Sequence, residues 1–165
     1  KTDWLVWQLL TKRIGNAKKM LPEDWGNGYE NVWMGATIVN QEEASRDISK
    51  LIKIPARLRW LSIEPQLGPI SLDNDFALVD WVIIGGESGP KAVARQFNLQ
   101  WARDGIAQCR EAGVACFIKQ LGSRPVFPLG DGIRGLSYLH LKDYKGADPK
   151  EWYADLRVQE FPEWK

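Results

Sequence analysis

The 165-residue sequence predicts an α/β fold with about five parallel strands and covering helices. Three observations carry that expectation. Short apolar runs recur along the chain without strict alternation, as strands covered on both faces do. Between several of them, apolar residues fall at helical spacing with charges on the opposite side. The runs also end in polar groups beside Gly or Pro. The clearest case is Asp80 to Pro90, Asp-Trp-Val-Ile-Ile-Gly-Gly-Glu-Ser-Gly-Pro, where an apolar strand delivers Glu87 and Ser88 to a sheet edge. In parallel α/β architectures, binding and chemistry collect at the carboxyl ends of strands. The same stretch equally fits an ordinary strand-to-helix turn with a surface glutamate.

Taken in order, Trp4 to Leu10 is an apolar run broken by Gln8 and followed by Thr11-Lys12-Arg13. It is a first strand, with a weak helix through Leu21. Gln8, Leu10 and Lys12 alternate onto one face, which points to a polar interior or a site beyond it. Residues 22–30, rich in Gly, Asn and Pro, form a loop. Val32 to Ile38 is a second strand, and Asn40 caps a helix over 41–54 whose Ala44, Ile48, Leu51 and Ile52 face a sheet. Pro55 stops it. Leu58 to Ile63 is a third strand, with Trp60, Ser62 and Glu64 on one face and Leu61 and Ile63 on the other. Gln66 to Leu78, with the acidic run Asp73 to Asp75, is a connection. Trp81 to Ile84 is the fourth strand, 98–113 a helix with a glycine stop at Gly113, and Val114 to Ile118 a fifth strand ending in Lys119-Gln120. Residues 1–122 form the α/β domain. Residues 123–165 lose periodicity and are expected as an irregular tail whose aromatics dock on the body.

Composition narrows the function classes. Apolar residues make up 44% of the chain and charged residues 26%, which is globular rather than disordered. The net charge of +1 gives no global footprint for nucleic acid. The clusters at Lys12-Arg13, Lys18-Lys19 and Lys50 to Arg59 fit solvated helix faces. With no membrane-length apolar run and no signal peptide, the chain is expected in the cytoplasm. Two cysteines and one histidine cannot complete a zinc or iron–sulfur site. Cys109 falls on the apolar stripe of its helix and Cys116 in the next strand, so both are expected as reduced core residues. His140 is expected to be structural.

If the five strands are parallel, their ends bring Thr11, Lys12, Arg13, Thr37, Glu64, Gly85, Gly86, Glu87, Ser88, Lys119 and Gln120 to one edge. That set would line a pocket for a small polar ligand. Glu64 or Glu87 opposite Lys119 would act as a proton-transfer pair or clamp an amino-acid-like group, or would form an inert ion-pair network. Glu64, Glu87, Ser88 and Lys119 are expected in one concavity. The two sheet edges need cover, from the tail or from a second copy of the chain.

Several motifs also occur together: Leu-Leu-Thr-Lys-Arg at 9–13, Asn-Val-Trp-Met-Gly-Ala-Thr at 31–37, Leu-Ser-Ile-Glu-Pro-Gln-Leu-Gly-Pro-Ile at 61–70, Gly-Gly-Glu-Ser-Gly-Pro at 85–90, Lys-Gln at 119–120 and Leu-Lys-Asp-Tyr-Lys-Gly-Ala-Asp-Pro-Lys-Glu-Trp at 141–152. In these the chain resembles a family of uncharacterised phage and prophage proteins whose fold looks like a radical S-adenosylmethionine barrel. The resemblance implies a partial TIM-like barrel, with this chain starting at what looks like the family's third strand. It implies a preceding portion with a Cys…Cys-x-x-Cys loop holding an iron–sulfur cluster. Cys109 and Cys116 match none of those positions, and Leu121 stands where the family often has Trp. S-adenosylmethionine and the cluster are therefore expected for the full-length family only, with no cofactor and no activity in this chain alone; partners would be the amino-terminal barrel portion or a second copy. The competing expectation is a non-enzymatic phage module that binds protein or nucleic acid through exposed aromatics. A flavodoxin-like domain is a third, without a phosphate-cradling glycine motif to support it.

Overall fold

The computed structural model describes residues 4–72, 78–129 and 135–163. The acidic run at 73–75 lies outside the described residues. Five strands, β1 (Trp7–Thr11), β2 (Val32–Thr37), β3 (Leu58–Ile63), β4 (Trp81–Gly85) and, after the short β5 (Phe97–Asn98), β6 (Ala115–Gln120), are joined through α1 (Ile14–Met20), α2 (Gln41–Leu51) and α3 (Leu99–Ala112). The main sheet runs β1-β2-β3-β4-β6, and every pair in it is parallel. The order thus follows the sequence with no reversal. The sheet is open, with β1 and β6 at its edges, so the structure is a parallel α/β sheet and no closed barrel forms among the described residues.

Period-two alternation sorts the strand residues onto two faces with different cover. Met34, Ala36, Leu61, Ile63, Val82, Ile84, Cys116 and Ile118 pack with Ile14 of α1, Ala44, Ile48 and Leu51 of α2, and Leu99, Ala102, Ile106 and Cys109 of α3. All three helices therefore cover one face. On the other, Trp33, Leu58, Trp60, Trp81 and Ile83 form a separate cluster with Ala115 and Phe117. No described helix packs there. The two longer helices form where the sequence supplies caps and stripes: the Asn40 side chain accepts from the Glu43 N–H, that of Asn98 accepts from the Gln100 N–H, and Gly113 ends α3 in the left-handed conformation with φ 68°.

The segment after Gly122 is more ordered than its lack of periodicity suggests. It contributes β7 (Pro125–Pro128) and β8 (Leu136–Tyr138), which join β5 in a small second sheet. It buries Val126, Trp152 and Leu156. Near its end it lies along β6: the Ile118 N–H donates to the Val158 carbonyl at 2.8 Å, the Glu160 N–H to the Cys116 carbonyl at 2.9 Å, and Gln159 bridges Phe117 antiparallel. Phe161 then packs against Trp81 in a tilted contact and edge-on against Phe117, with ring centroids 5.5 and 5.3 Å apart. The tail thus covers one sheet edge and one corner of the helix-free face. The β1 edge has no partner strand among the described residues.

Candidate functional site

The charged groups converge where β3 and β6 end on the helix-free face. Glu64 follows β3 directly and shares the parity of Trp60 and Ser62, while Lys119 shares that of Phe117. Between the two strands lies β4, whose last residue, Gly85, has no side chain. A Cβ there would stand 2.5 Å from Glu64 Oε1, so the glycine is what lets the carboxylate lie across the end of β4. Lys119 Nζ donates to Glu64 Oε2 at 3.1 Å, and the Ser62 hydroxyl donates to the same oxygen at 3.4 Å. Oε1 is buried and has no hydrogen-bond partner among the described residues. The Glu64 side chain is 17% exposed and that of Lys119 55%. An ammonium reachable from solvent therefore leans on a largely sheltered carboxylate.

The turn after Glu64 is locked in place. Gln66 is buried; its N–H donates to the Gly85 carbonyl at 2.9 Å and its side-chain amide to the Gly68 carbonyl at 3.0 Å. The Leu67 N–H donates to Val39 O at 2.8 Å. These bonds tie the ends of β2, β3 and β4 together behind Glu64. Deeper on the face, Trp60 lies over Gly35 of β2, and its indole N–H is buried without a hydrogen-bond partner among the described residues.

The other sequence candidates divide. Thr37 is buried and sits beside Ser62 in register, on the same face as Glu64. Glu87 turns away to Arg95, whose guanidinium donates to its two oxygens at 2.8 and 2.7 Å and whose backbone N–H donates at 2.7 Å. These bonds hold the Glu87 carboxyl at about 2, well below its ordinary value. Glu87 is thus an ionised loop clasp, and Lys119 pairs with Glu64 instead. Gly86 packs against the Leu121 carbonyl and accepts from the Gln120 side chain at 2.9 Å, so both are structural supports of the β4 and β6 ends. Ser88 is exposed. Thr11 pairs with Ala36 on the far side of β2 and its hydroxyl accepts from the Arg13 N–H; Thr11, Lys12 and Arg13 stand at the end of β1, two strands from Glu64. Sequence reasoning noted Ser62 only as a face neighbour and missed Gln66 and Arg95. Alternation along β3 points to Ser62, whereas nothing in a sequence separation of eight residues through a loop marks Arg95 as the partner of Glu87.

The cysteines do not fit an iron–sulfur cluster. Cys109 and Cys116 are both 1% exposed on the helix-covered side of the sheet, away from Glu64 and Lys119. Contact with Cys109, then burial, pushes the Cys116 thiol far above its ordinary range, which disfavours the thiolate a metal requires. Among the described residues no three His, Cys, Asp or Glu side chains are grouped to hold a metal, and no helix is long and apolar enough to cross a membrane.

Fold and site together define an α/β protein wound in one direction, with helices on one face and a carboxylate–ammonium pair at the carboxyl edge of the other. The family model described as "Protein of unknown function (DUF5131)" matches residues 1–135, and the chain belongs to that family. The match includes Glu64, Glu87 and Lys119 and ends before β8; its description assigns neither a phage origin nor S-adenosylmethionine chemistry. No curated protein and no solved structure matches the chain.

Proposed function

We propose that the helix-free face holds a small zwitterionic ligand at its carboxyl edge, with Glu64 and Lys119 as the charged clamp. The observation that carries this is the Lys119–Glu64 contact of 3.1 Å, made by a half-exposed ammonium on a carboxylate whose other oxygen is buried without a hydrogen-bond partner among the described residues. A buried carboxylate oxygen without a partner costs about 1–3 kcal/mol, and a contact from an ammonium that is 55% exposed to the other oxygen leaves that cost in place. A fold that keeps such an oxygen beside a side-chain-free Gly85 is organised around the carboxylate. A ligand ammonium would displace Lys119 from Glu64, and the freed Lys119 would take the ligand carboxylate. Thr37 and Ser62 supply hydroxyls beside them.

Strand order in sequence, with helices on one face, supports a barrel-type arc whose interior face is the one bearing Glu64, in line with the resemblance to radical S-adenosylmethionine barrels. Cys109 and Cys116 take no part in this reading, because both are buried on the helix-covered side of the sheet. The test is calorimetric titration with free methionine as the amino-acid probe. Binding should weaken at least tenfold in both Glu64→Gln and Lys119→Met. Equal binding by the variants, or none by the parent chain, would remove the proposal. The second reading, a non-enzymatic interaction module, is favoured by a different observation, the apolar surface along β1.

A further inference from the structure

We infer that the loops beyond the carboxyl ends of β4 and β6 form a docking surface for single-stranded nucleic acid, with Lys91, Arg124, Lys142 and Lys145 on its phosphates and Tyr138 and Tyr144 on its bases. None of these residues belongs to the Glu64 clamp, so the inference stands apart from it.

Three stretches of chain meet at Ser123 and Arg124. The buried Ser123 donates its N–H to the Glu87 carbonyl at 2.8 Å. Its hydroxyl accepts from the Gly89 N–H at 3.0 Å and donates to the Tyr144 carbonyl at 2.8 Å. The Arg124 guanidinium donates to the Ala94 carbonyl at 3.1 Å and to the Tyr138 hydroxyl at 2.9 Å, and the Gln96 side chain donates to the same hydroxyl at 2.8 Å. Residues 86–96, 121–125 and 138–146 are thereby one bonded body, although they lie far apart in sequence.

That body gathers charge of one sign. It carries Lys91, Arg95, Arg124, Lys142 and Lys145 against Glu87 and Asp143, in a chain whose net charge is only +1. Both carboxylates are already engaged, Glu87 by Arg95 and Asp143 by the Ala147 N–H. Lys91, Arg124, Lys142 and Lys145 make no ion pair among the described residues. Cations grouped without counter-charge attract a polyanion.

The rings choose among polyanions. Tyr144 is 60% exposed and Tyr138 42%. Each has a cation against its face: Lys145 Nζ stands 5.6 Å from the Tyr144 centroid, and the Arg124 guanidinium carbon 5.7 Å from that of Tyr138. The Tyr138 oxygen receives the Arg124 and Gln96 bonds, and its own proton has no acceptor among the described residues, so it remains to be donated to a ligand oxygen. An exposed ring beside a cation suits a base stacked on the ring with its phosphate on the cation. A duplex hides its base faces in its own stack, and an acidic protein segment offers carboxylates without a row of flat faces. A single strand presents both phosphates and bases.

Fluorescence anisotropy tests this with the whole chain and a labelled oligothymidine of about 15 nucleotides, near the upper end of single-strand site sizes. The single strand should bind at least tenfold tighter than a duplex of the same length. Four phosphate contacts predict a slope of about −3 for log affinity against log salt, and the variant combining Lys91→Ala, Lys142→Ala and Lys145→Ala should bring it to about −1. Tyr144→Ala removes an exposed ring whose hydroxyl makes no hydrogen bond among the described residues. It should keep the circular dichroism spectrum of the parent and lose affinity at least about fivefold, while Tyr144→Phe binds as the parent does. Lys18→Ala with Lys19→Ala, in the last turn of α1, should leave binding unchanged. No binding of the oligonucleotide, with or without capture of phosphatidylserine vesicles, would overturn the inference. So would equal affinity for duplex and single strand, an unchanged salt slope in the lysine variant, full binding by Tyr144→Ala, or an equal loss on removing Lys18 and Lys19.

Discussion

Replacing Gly35 by alanine tests whether the aromatic layer on the helix-free face is packed as tightly as the geometry implies. A Cβ on Gly35 would stand 2.4 Å from Trp60 Cε2, 2.6 Å from Nε1 and 2.7 Å from Cδ2. Ordinary contact would require the indole to retreat by about 1 Å, more than close-packed interiors allow without strain. The ring has little freedom to do so: Trp60 is 5% exposed and its centroid lies 5.9 Å from that of Trp81, which in turn is held by a hydrogen bond from its indole N–H to the Glu160 carbonyl at 2.9 Å. Overpacking of this kind costs about 1–3 kcal/mol, and the upper half of that range is expected because the obstacle is a rigid ring. Gly68 provides the control, since a Cβ there meets nothing within 4 Å and Gly68→Ala should change stability by no more than about 1 kcal/mol, toward stabilisation. Urea unfolding followed by tryptophan fluorescence and by far-ultraviolet circular dichroism measures both. A Gly35→Ala loss below about 0.5 kcal/mol, or one no larger than that of Gly68→Ala, would refute the packing argument.

Three further outcomes are expected. Because the folded Glu87 carboxyl is held down to about 2 by Arg95, the pair's contribution is present above the ordinary carboxylate value of roughly 4.5 and is lost as pH falls toward 2. Glu87→Gln should therefore cost about 1 kcal/mol at pH 7, modest because the Arg95 side chain is 55% exposed. The gap should close below pH 4 in parallel acid titrations, and a gap constant down to pH 2 would contradict the assignment. Leu156→Ala, which empties a fully buried site under α3, should lower stability by about 2–4 kcal/mol in denaturant unfolding; a loss under 1 kcal/mol would mean that the tail is not part of the core. Cys109 and Cys116, both buried and free, should react with a thiol-specific disulfide reagent only after unfolding, and rapid labelling of the native chain would show that this side of the sheet opens locally.

Much of the main sheet was legible because its strands obey simple patterning. Val32 to Ile38, Leu58 to Ile63 and Trp81 to Ile84 are apolar throughout or alternate cleanly, and the structure places strands at Val32–Thr37, Leu58–Ile63 and Trp81–Gly85. The second sheet was not legible. β5 is two residues long and β7 begins and ends in proline, lengths at which hydrophobic period carries no signal. The pairing of 158–160 with β6 escaped for another reason: Gln159 and Glu160 read as a solvated tail until the edge of β6 and the Trp81 indole give them partners. At the candidate site, Glu64 was legible from parity along β3 and Lys119 from its position directly after a strand core. Glu87 looked equivalent to Glu64 on the same logic. The difference arises after the strand, where the chain bends back and Arg95 reaches it first.

The two edges of the main sheet end differently among the described residues. At β6 the added segment makes a single bridge, and Pro162, soon after it, has no N–H to offer another strand. At β1 no partner strand lies among the described residues. Strand addition at β6 would first have to displace residues 158–160, whose backbone already bonds Cys116 and Ile118. Phe161 anchors that cover on Trp81 and Phe117, so loosening the tail would bare the strand edge and the aromatic face together.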